Sequence, residues 1–180
     1  MKAIGIFGAT FVALLFYSQI TLANLLSPSV FSGQKHNEMI YDEKPLAFSQ
    51  IINASFIHSS FILNHWQQIS VKNSSWVKSK LIGTKIISTS IEDVQFTDSD
   101  LSGIKCFHCE IKNTKFENVR LDGSRFFHSN FENIEFVNVH FSRADFISST
   151  FKNCTIDNAS AKFLPADFIK KNKISIRPTP

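Results

Sequence analysis

The sequence lacks the compact motifs that normally mark an active site. It contains no glycine-rich phosphate loop, no nucleophile elbow and no pair of histidines at helical spacing. Cysteine is scarce as well, with three in 180 residues. These absences favour a protein that is not an enzyme, and they indicate no catalytic residues, no metal site and no cofactor.

An excess of charge of one sign is also missing. The formal net charge is only +4, and basic and acidic residues alternate along the chain instead of clustering in one long stripe. A protein that binds a nucleic-acid backbone normally concentrates its lysines and arginines. The sequence therefore does not indicate a nucleic-acid partner.

What the sequence does contain is a repeat with a period of five. Every fifth residue from Leu46 to Ala161 is free of charge and of side-chain amide, over 24 consecutive positions. A second row, two residues earlier, consists largely of small or β-branched residues. Helices repeat every 3.6 residues and strands every 2, so neither explains the pattern. It indicates a chain that bends at a fixed interval and points one large and one small side chain inward each time. The predicted core includes Phe56, Trp66, Trp76, Phe96, Phe116, Phe126, Phe131, Phe136, Phe141, Phe146 and Phe151.

Individual repeats resemble those of the pentapeptide-repeat family, in which a small residue, a polar residue and a large apolar centre precede two variable positions. The clearest matches are ASFIH (54–58), SDLSG (99–103), SNFEN (129–133) and ADFIS (144–148). The resemblance implies an all-β fold, a right-handed four-sided β-helix with four pentapeptides per coil. We therefore expect a solenoid of about six coils with a short C-terminal cap.

Four repeats per coil predict a second period of twenty, and the charged residues follow it. A column of alternating charge contains Lys72, Glu92, Lys112, Glu132 and Lys152. Coils stack about 4.8 Å apart, as neighbouring strands do. Opposite charges at that spacing contribute roughly 0.2–1 kcal/mol per pair, whereas like charges repel. The alternation supports the predicted coil length independently of the family resemblance.

Four segments divide the chain. Residues 1–23 are typical of a secretory signal peptide, with Lys2, a short apolar run and small residues before Asn24. Residues 24–45 lack the period and are predicted to be a linker or an N-terminal cap. Residues 46–165 form the predicted β-helix, and residues 166–180 form a C-terminal cap and tail, with a short helix after Pro165. We expect an exported protein, periplasmic or extracellular, with no stable membrane span after cleavage.

The cysteines leave two interpretations open. Cys106, Cys109 and Cys154 all fall in inward rows. An oxidising compartment favours a disulfide, and Cys106 and Cys109 lie across one corner. Cys154 lies too far along the solenoid to reach either of them. The alternative is three buried thiols that act as small apolar side chains.

One column of the predicted β-helix is apolar although it should point outward. It contains Ile87, Phe107, Phe127 and Ile147. Three basic residues, Lys85, Lys105 and Arg125, run beside it, and His108 and His128 lie on its other flank. An apolar strip rimmed by basic groups indicates an interaction surface. Three interpretations are open: a partner or a second copy binds this strip, residues 24–45 or the C-terminal tail cover it, or the strip has no role.

These features favour a non-enzymatic protein–protein interaction or structural module of the bacterial cell envelope, such as part of a secretion apparatus. A secreted docking platform of the effector type is the alternative. The family resemblance adds a third class, proteins that mimic DNA and protect DNA gyrase. Those act in the cytoplasm through a strongly acidic surface, whereas this chain is mildly basic and carries an export signal.

Overall fold

The computed structural model describes residues 30–179, which form a four-sided β-helix of about seven turns. Three sides are parallel sheets of three-residue strands. Sheet 1 contains Val30–Ser32, Gln50–Ile52, Ser70–Lys72, Ser90–Glu92, Glu110–Lys112, Asn130–Glu132 and Thr150–Lys152. Sheet 2 contains Lys35–Asn37, Ser55–Ile57, Ser75–Val77, Gln95–Thr97, Lys115–Glu117, Glu135–Val137, Thr155–Asp157 and Ser175–Arg177. Sheet 3 contains Pro45–Ala47, His65–Gln67, Lys85–Ile87, Lys105–Phe107, Arg125–Phe127 and Asp145–Ile147.

The fourth side has turns in place of full strands. Successive coils are joined there by single β-bridges, which connect Ile40, Ser60, Lys80, Asp100, Arg120 and His140. On all four sides each residue pairs with the residue twenty positions away, as Phe96 pairs with Phe116. The all-β, four-sided fold expected from the sequence is therefore confirmed, with about seven turns instead of six.

The strands are short because the backbone turns a corner after every fifth residue. The corner residue adopts a left-handed conformation, with φ of 53° at Asn53 and 47° at Asn73. Asparagine tolerates this region better than most side chains. It also forms a ladder here, since Asn133 Nδ2 donates to Asn113 Oδ1 at 2.8 Å and Asn153 Nδ2 donates to Asn133 Oδ1 at 3.2 Å.

Gly83 shows a second requirement at a corner. Its φ is +67°, and a Cβ added to it would lie 2.8 Å from Leu63 Cδ2. The glycine therefore gives the exposed Leu63 side chain room to lie against the next coil. A larger residue at position 83 would both strain the backbone and displace Leu63.

The large inward row forms the core. Trp76, Phe96, Phe116 and Phe136 stack on one another along the solenoid axis, with ring centroids 5.2–5.3 Å apart. Most aromatic residues of the predicted core are buried: Phe56, Trp66, Trp76, Phe96, Phe116, Phe126, Phe131, Phe136 and Phe141. Phe146 and Phe151 are half-buried because they lie at the C-terminal end of the stack. Each fully buried ring contributes roughly 1.5–3 kcal/mol before conformational entropy is subtracted.

The β-helix begins earlier than residue 46, where the repeat pattern placed its start. Val30–Ser32 pairs with Gln50–Ile52, and Lys35–Asn37 pairs with Ser55–Ile57. Residues 30–45 therefore form part of a first coil and are not a linker. His36 occupies an inward position there and stacks on Phe56 at 4.9 Å. The predicted signal peptide and residues 24–29 lie outside the described residues.

The C-terminal end is capped by two short helices and a final strand. The repeat ends at Asp157, and helix α1 (Asn158–Ala161) follows directly. The Asp157 carboxylate caps α1 by accepting a hydrogen bond from Ser160 N at 2.9 Å. Helix α2 (Ala166–Lys171) starts after Pro165, as expected from the sequence, and its Phe168 lies 5.5 Å from both Phe146 and Phe151. The tail then returns as Ser175–Arg177, which pairs with sheet 2.

The column of alternating charge lies on sheet 1. Lys72 Nζ lies 2.8 Å from Glu92, and Lys152 pairs with Glu132. The hydrogen bond and positive charge from Lys72 lower the pKa of the Glu92 carboxyl, and Lys152 lowers that of Glu132 in the same way. Lys112, between the two acids, instead lies 3.3 Å from Glu110 of its own strand. Exposed ion pairs of this kind contribute little stability. The main effect of the alternation is that like charges do not face each other on adjacent coils.

Cys106 and Cys109 form a disulfide across one corner, with Cα atoms 5.9 Å apart. Both residues are buried, so the bond lies inside the β-helix. The interpretation of all three cysteines as thiols is therefore wrong for this pair. It holds for Cys154, whose buried thiol has a pKa raised by its burial.

The inward direction of the large row is testable at Phe116. Phe116→Lys should prevent stable folding, because an unpaired buried charge costs roughly 3–5 kcal/mol, a large part of a domain's stability. Thr97→Lys is the matched control, since Thr97 lies outward on the adjacent strand and in register with Glu117. Circular dichroism and thermal melting would check both variants. A Phe116→Lys protein that melts like the parent would show that this side chain does not point inward.

The disulfide should stabilise the folded protein measurably. It closes a very short loop, with a sequence separation of 3, for which loop entropy gives about 2 kcal/mol. At roughly 2–4 °C per kcal/mol, reduction should lower the melting temperature by roughly 4–8 °C. The parent protein and a Cys106→Ala plus Cys109→Ala variant would each be refolded and melted with and without reductant. Only the parent should respond, and an unresponsive parent would contradict the bond.

Candidate interaction face

Sheet 3 places two columns of outward side chains side by side. In its strands the two outer residues point away from the core, and the central residue is buried in every strand but the last, as in Lys105–Phe107, where Cys106 is 1% exposed. The strands stack in register, so Lys85, Lys105 and Arg125 align in one column. A strand carries its first and third side chains on the same face, which is why the second column lies beside the first.

The second column is apolar and contains the residues predicted from the period. Ile87, Phe107, Phe127 and Ile147 align in register on successive coils. The rings of Phe107 and Phe127 stack face to face, with centroids 4.8 Å apart and planes 7° apart. Ile147 is 42% exposed, and the other three are partly exposed. The column is therefore a continuous apolar strip at the surface.

The basic column of Lys85, Lys105 and Arg125 is exposed. Within residues 30–179, none of Lys85, Lys105 and Arg125 takes part in an ion pair. Asp145 follows Arg125 in register but makes no such pair in this part of the chain. Lys85 instead places its Nζ 5.9 Å from the centre of the Phe107 ring. The Lys85 ammonium group thus leans from the basic column towards the apolar column.

His108 and His128 complete the face at the corner between sheets 3 and 1. Their rings stack with centroids 5.3 Å apart and planes 10° apart, and both side chains are exposed. Both residues have the left-handed backbone of a corner, with φ of 54° and 49°. We call the whole surface the basic–aromatic face, defined by Lys85, Ile87, Lys105, Phe107, His108, Arg125, Phe127, His128 and Ile147.

The disulfide lies directly behind this face. Cys106 and Cys109 flank Phe107 and His108 in sequence, and both sulfur-bearing side chains point inward from the same corner. A covalent bond there restricts the backbone from which Phe107 and His108 project. The face is thus held in a fixed arrangement, which lowers the entropy lost when a rigid surface binds a partner.

The described terminal segments do not cover the basic–aromatic face. Residues 30–45 form part of the first coil, and the C-terminal strand Ser175–Arg177 adds to sheet 2, on a different side of the β-helix. Of the alternative that residues 24–45 or the C-terminal tail cover the strip, the described parts thus lie elsewhere on the β-helix, and residues 24–29 lie outside the described residues. Each of these segments finds backbone hydrogen bonds on its own side, as when Ser175 N donates to Cys154 O at 3.0 Å.

The sequence analysis did not identify a groove that lies next to this face. Phe48 is 57% exposed and begins the corner column that continues through Gln68 and Ser88 to His108 and His128. An open groove of about 500 Å³ lies along its first three coils and is lined by Phe48, Ser49, Gln50, Gln68, Ile69, Ser70, Ser88 and Ser90. The period of twenty, followed backwards from His108, would have identified Phe48 as an outward aromatic residue.

Residues 30–179 contain no cluster of three or more histidine, cysteine or acidic side chains able to hold a metal ion. None of the helices between these residues is long and apolar enough to cross a membrane.

Comparison with solved structures finds matches of low sequence identity. A trypsin-treated variant of QnrB1, described as a plasmid-mediated fluoroquinolone resistance protein, is 10% identical with a TM-score of 0.48, covering 82% of this chain and 84% of that one. The pentapeptide repeat protein Rfr23 from the cyanobacterium Cyanothece 51142 is 9% identical with a TM-score of 0.29, covering 76% and 95%. HetL from Nostoc sp. strain PCC 7120, a pentapeptide repeat protein involved in heterocyst differentiation regulation, is 9% identical with a TM-score of 0.17, covering 73% and 93%.

Comparison with curated protein sequences finds no match. Comparison with protein families, in contrast, gives matches that together cover most of the β-helix. Residues 49–126 match the description "pentapeptide repeat region", and residues 124–160 match "pentapeptide repeats (8 copies)". Together with the observed coils of four five-residue sides, these matches show that the chain belongs to the pentapeptide-repeat family, whose members serve as structural and protein-interaction modules.

Proposed function

We propose that this protein is a non-enzymatic interaction module of the bacterial cell envelope that binds a protein partner through the basic–aromatic face. The observation that carries the proposal is the Phe107–Phe127 stack, which lies at the surface between a basic and a histidine column and is not covered by any segment of residues 30–179. A rimmed apolar strip of this kind is typical of an interaction surface. Sheet 3 supplies a rigid support for it.

The envelope location is supported by two independent features. The first 23 residues have the pattern of a signal peptide. The Cys106–Cys109 disulfide suits the oxidising conditions outside the cytoplasm. A place in an envelope assembly such as a secretion apparatus is consistent with both, and so is a secreted docking platform. Protection of DNA gyrase is a weaker candidate, because it takes place in the cytoplasm and calls for a strongly acidic surface, whereas the net charge here is +4.

Export is tested by the mass of the protein from its native host. Cleavage after Ala23 would give a mature chain that begins at Asn24, so the intact mass should fall short of the full-length value by the mass of residues 1–23. Fractionation of the same cells should place this shortened form in the periplasm or the medium. A full-length mass, or recovery of the protein from the cytoplasm, would contradict the proposed location.

Binding is tested on the two stacked rings. Phe107→Ser plus Phe127→Ser should leave the fold nearly intact, because both side chains point outward, but it should abolish partner binding or self-association. Buried apolar area contributes about 25 cal/mol per Å² to association. Melting temperature, oligomeric state and capture of partners from envelope extracts would be measured on the same variant.

The matched control is Ile57→Ser plus Val77→Ser. These residues form an outward apolar pair, in register, on sheet 2. This change removes apolar surface from a different side of the β-helix and should leave binding unchanged. Equal loss of binding in both variants would show that the basic–aromatic face has no special role. Unfolding of the first variant alone would show that the two rings are needed for the core.

A further inference from the structure

The basic column breaks the charge pattern followed elsewhere on the solenoid. On sheet 1, Lys72 faces Glu92 and Lys152 faces Glu132, and on sheet 2 Lys115 pairs with Glu117. On sheet 3, Lys85, Lys105 and Arg125 stack directly above one another, with no ion pair to any group between residues 30 and 179. Like charges directly opposite one another destabilise a sheet. An anionic partner would remove this repulsion.

The aromatic pair favours the same kind of partner. Because Phe107 and Phe127 stack face to face at 4.8 Å along the solenoid axis, their π faces cover each other and their edges point outward. The Lys85 ammonium group occupies the remaining side of the Phe107 ring, and Ile147 follows Phe127 in register. Ring edges carry partial positive charge, which attracts acidic groups.

The same geometry disfavours a single-stranded nucleic acid. Such a ligand binds by stacking its bases on exposed aromatic faces. On this surface the faces of Phe107 and Phe127 are already stacked on each other, and so are those of His108 and His128. The face therefore offers cations and apolar edges, and one face of each of its four rings is already occupied by stacking.

We infer that the basic–aromatic face binds an extended acidic segment of a protein partner, in which carboxylate and apolar side chains alternate. This inference rests on the proposed function and specifies the partner. An extended peptide laid along the solenoid axis points successive side chains to opposite sides. Between the two columns, its carboxylates would face Lys85, Lys105 and Arg125, and its apolar side chains would face Phe107 and Phe127. The strip from Ile87 to Ile147 spans three coil spacings, about 14 Å, which matches about five extended residues.

The first test uses a fluorescent peptide of alternating glutamate and leucine as the probe. The peptide should bind the mature protein in low salt, and its affinity should fall as the salt concentration rises. Lys85→Glu plus Lys105→Glu plus Arg125→Glu should weaken binding at least tenfold. The control Lys35→Glu plus Lys162→Glu plus Lys171→Glu makes the same change of net charge at exposed lysines outside the face and should leave binding unchanged. A lysine–leucine peptide should not bind.

A neutral variant separates loss of folding from loss of recognition. Lys85→Gln plus Lys105→Gln plus Arg125→Gln removes the repulsion in the column without reversing it. It should melt at the same temperature as the parent or higher in low salt, yet bind the glutamate–leucine peptide more weakly. A lower melting temperature would show that the three cations stabilise the fold, which would overturn the inference. Failure of the peptide to bind the parent, equal weakening by the control, or tighter binding of oligothymidylate would also overturn it.

A second measurement distinguishes this inference from the proposed function. A photo-crosslinking residue at Ser88, beside the face, would be activated in intact cells carrying either the parent or the charge-reversed protein. Loss of the crosslinked partner on charge reversal supports the inference. A partner captured equally by both proteins would refute the acidic segment and leave the proposed function standing. The same residue would also be placed on sheet 2. If it captures a partner from sheet 2 but none from position 88, the proposed function itself is refuted.

Discussion

Each side chain of this solenoid meets the side chains twenty residues before and after it, because hydrogen bonds between coils hold the strands in exact register. Phe96 lies on Phe116, and Lys105 lies on Arg125. A strand in an ordinary sheet meets unrelated sequences on its two sides. Here every strand pairing across coils joins equivalent positions of the repeat, so the stability of the fold depends on which residues each column contains.

This constraint gives the sides of the molecule separate characters. The large inward row is apolar from Leu46 onward, and the small inward row also admits buried hydroxyl groups such as that of Ser79. The corner columns favour residues that accept a left-handed backbone, such as Asn113 with φ of 48°. The outward columns are free of these demands. Sheet 1 uses that freedom to alternate charge, whereas sheet 3 uses it to stack cations beside phenylalanines. Repulsion between the stacked cations of sheet 3 lowers the stability of the fold. Sheet 1 avoids this cost by alternating charge, so the basic column of sheet 3 points to a function other than folding.

The period of five was sufficient to predict the inward rows and the four-sided fold, and the period of twenty was sufficient to place Phe107 above Phe127. Both predictions rest on a rule that applies to every coil. The start of the β-helix could not be predicted in the same way. The inward positions of the first coil hold His36 and Tyr41, which are only half-buried because one side of that coil has no neighbour within the described residues. A terminal coil can therefore depart from the apolar rule that identifies the others.

Other features depend on geometry that a repeat pattern does not carry. Whether Cys106 and Cys109 bond depends on the 5.9 Å between their Cα atoms across one corner, and the sequence left that distance open. Lys112 lies between two acids in its column yet pairs with Glu110 of its own strand, because the long lysine side chain can reach either partner. The exposed Phe48 lies inside the predicted β-helix but was missed, because its corner column continues with the polar residues Gln68 and Ser88 and so shows no apolar pattern.

The five-residue side and the twenty-residue coil constrain how such a chain can change in length. Gaining or losing a whole coil would keep every column intact and would only lengthen or shorten the rod. Gaining a single five-residue side after Phe107 would also preserve the inward rows, so the core would still form. Phe127, however, would then move from sheet 3 to the position that Glu132 occupies on sheet 1. The fold tolerates change in units of five, whereas a surface built across several coils tolerates it only in units of twenty.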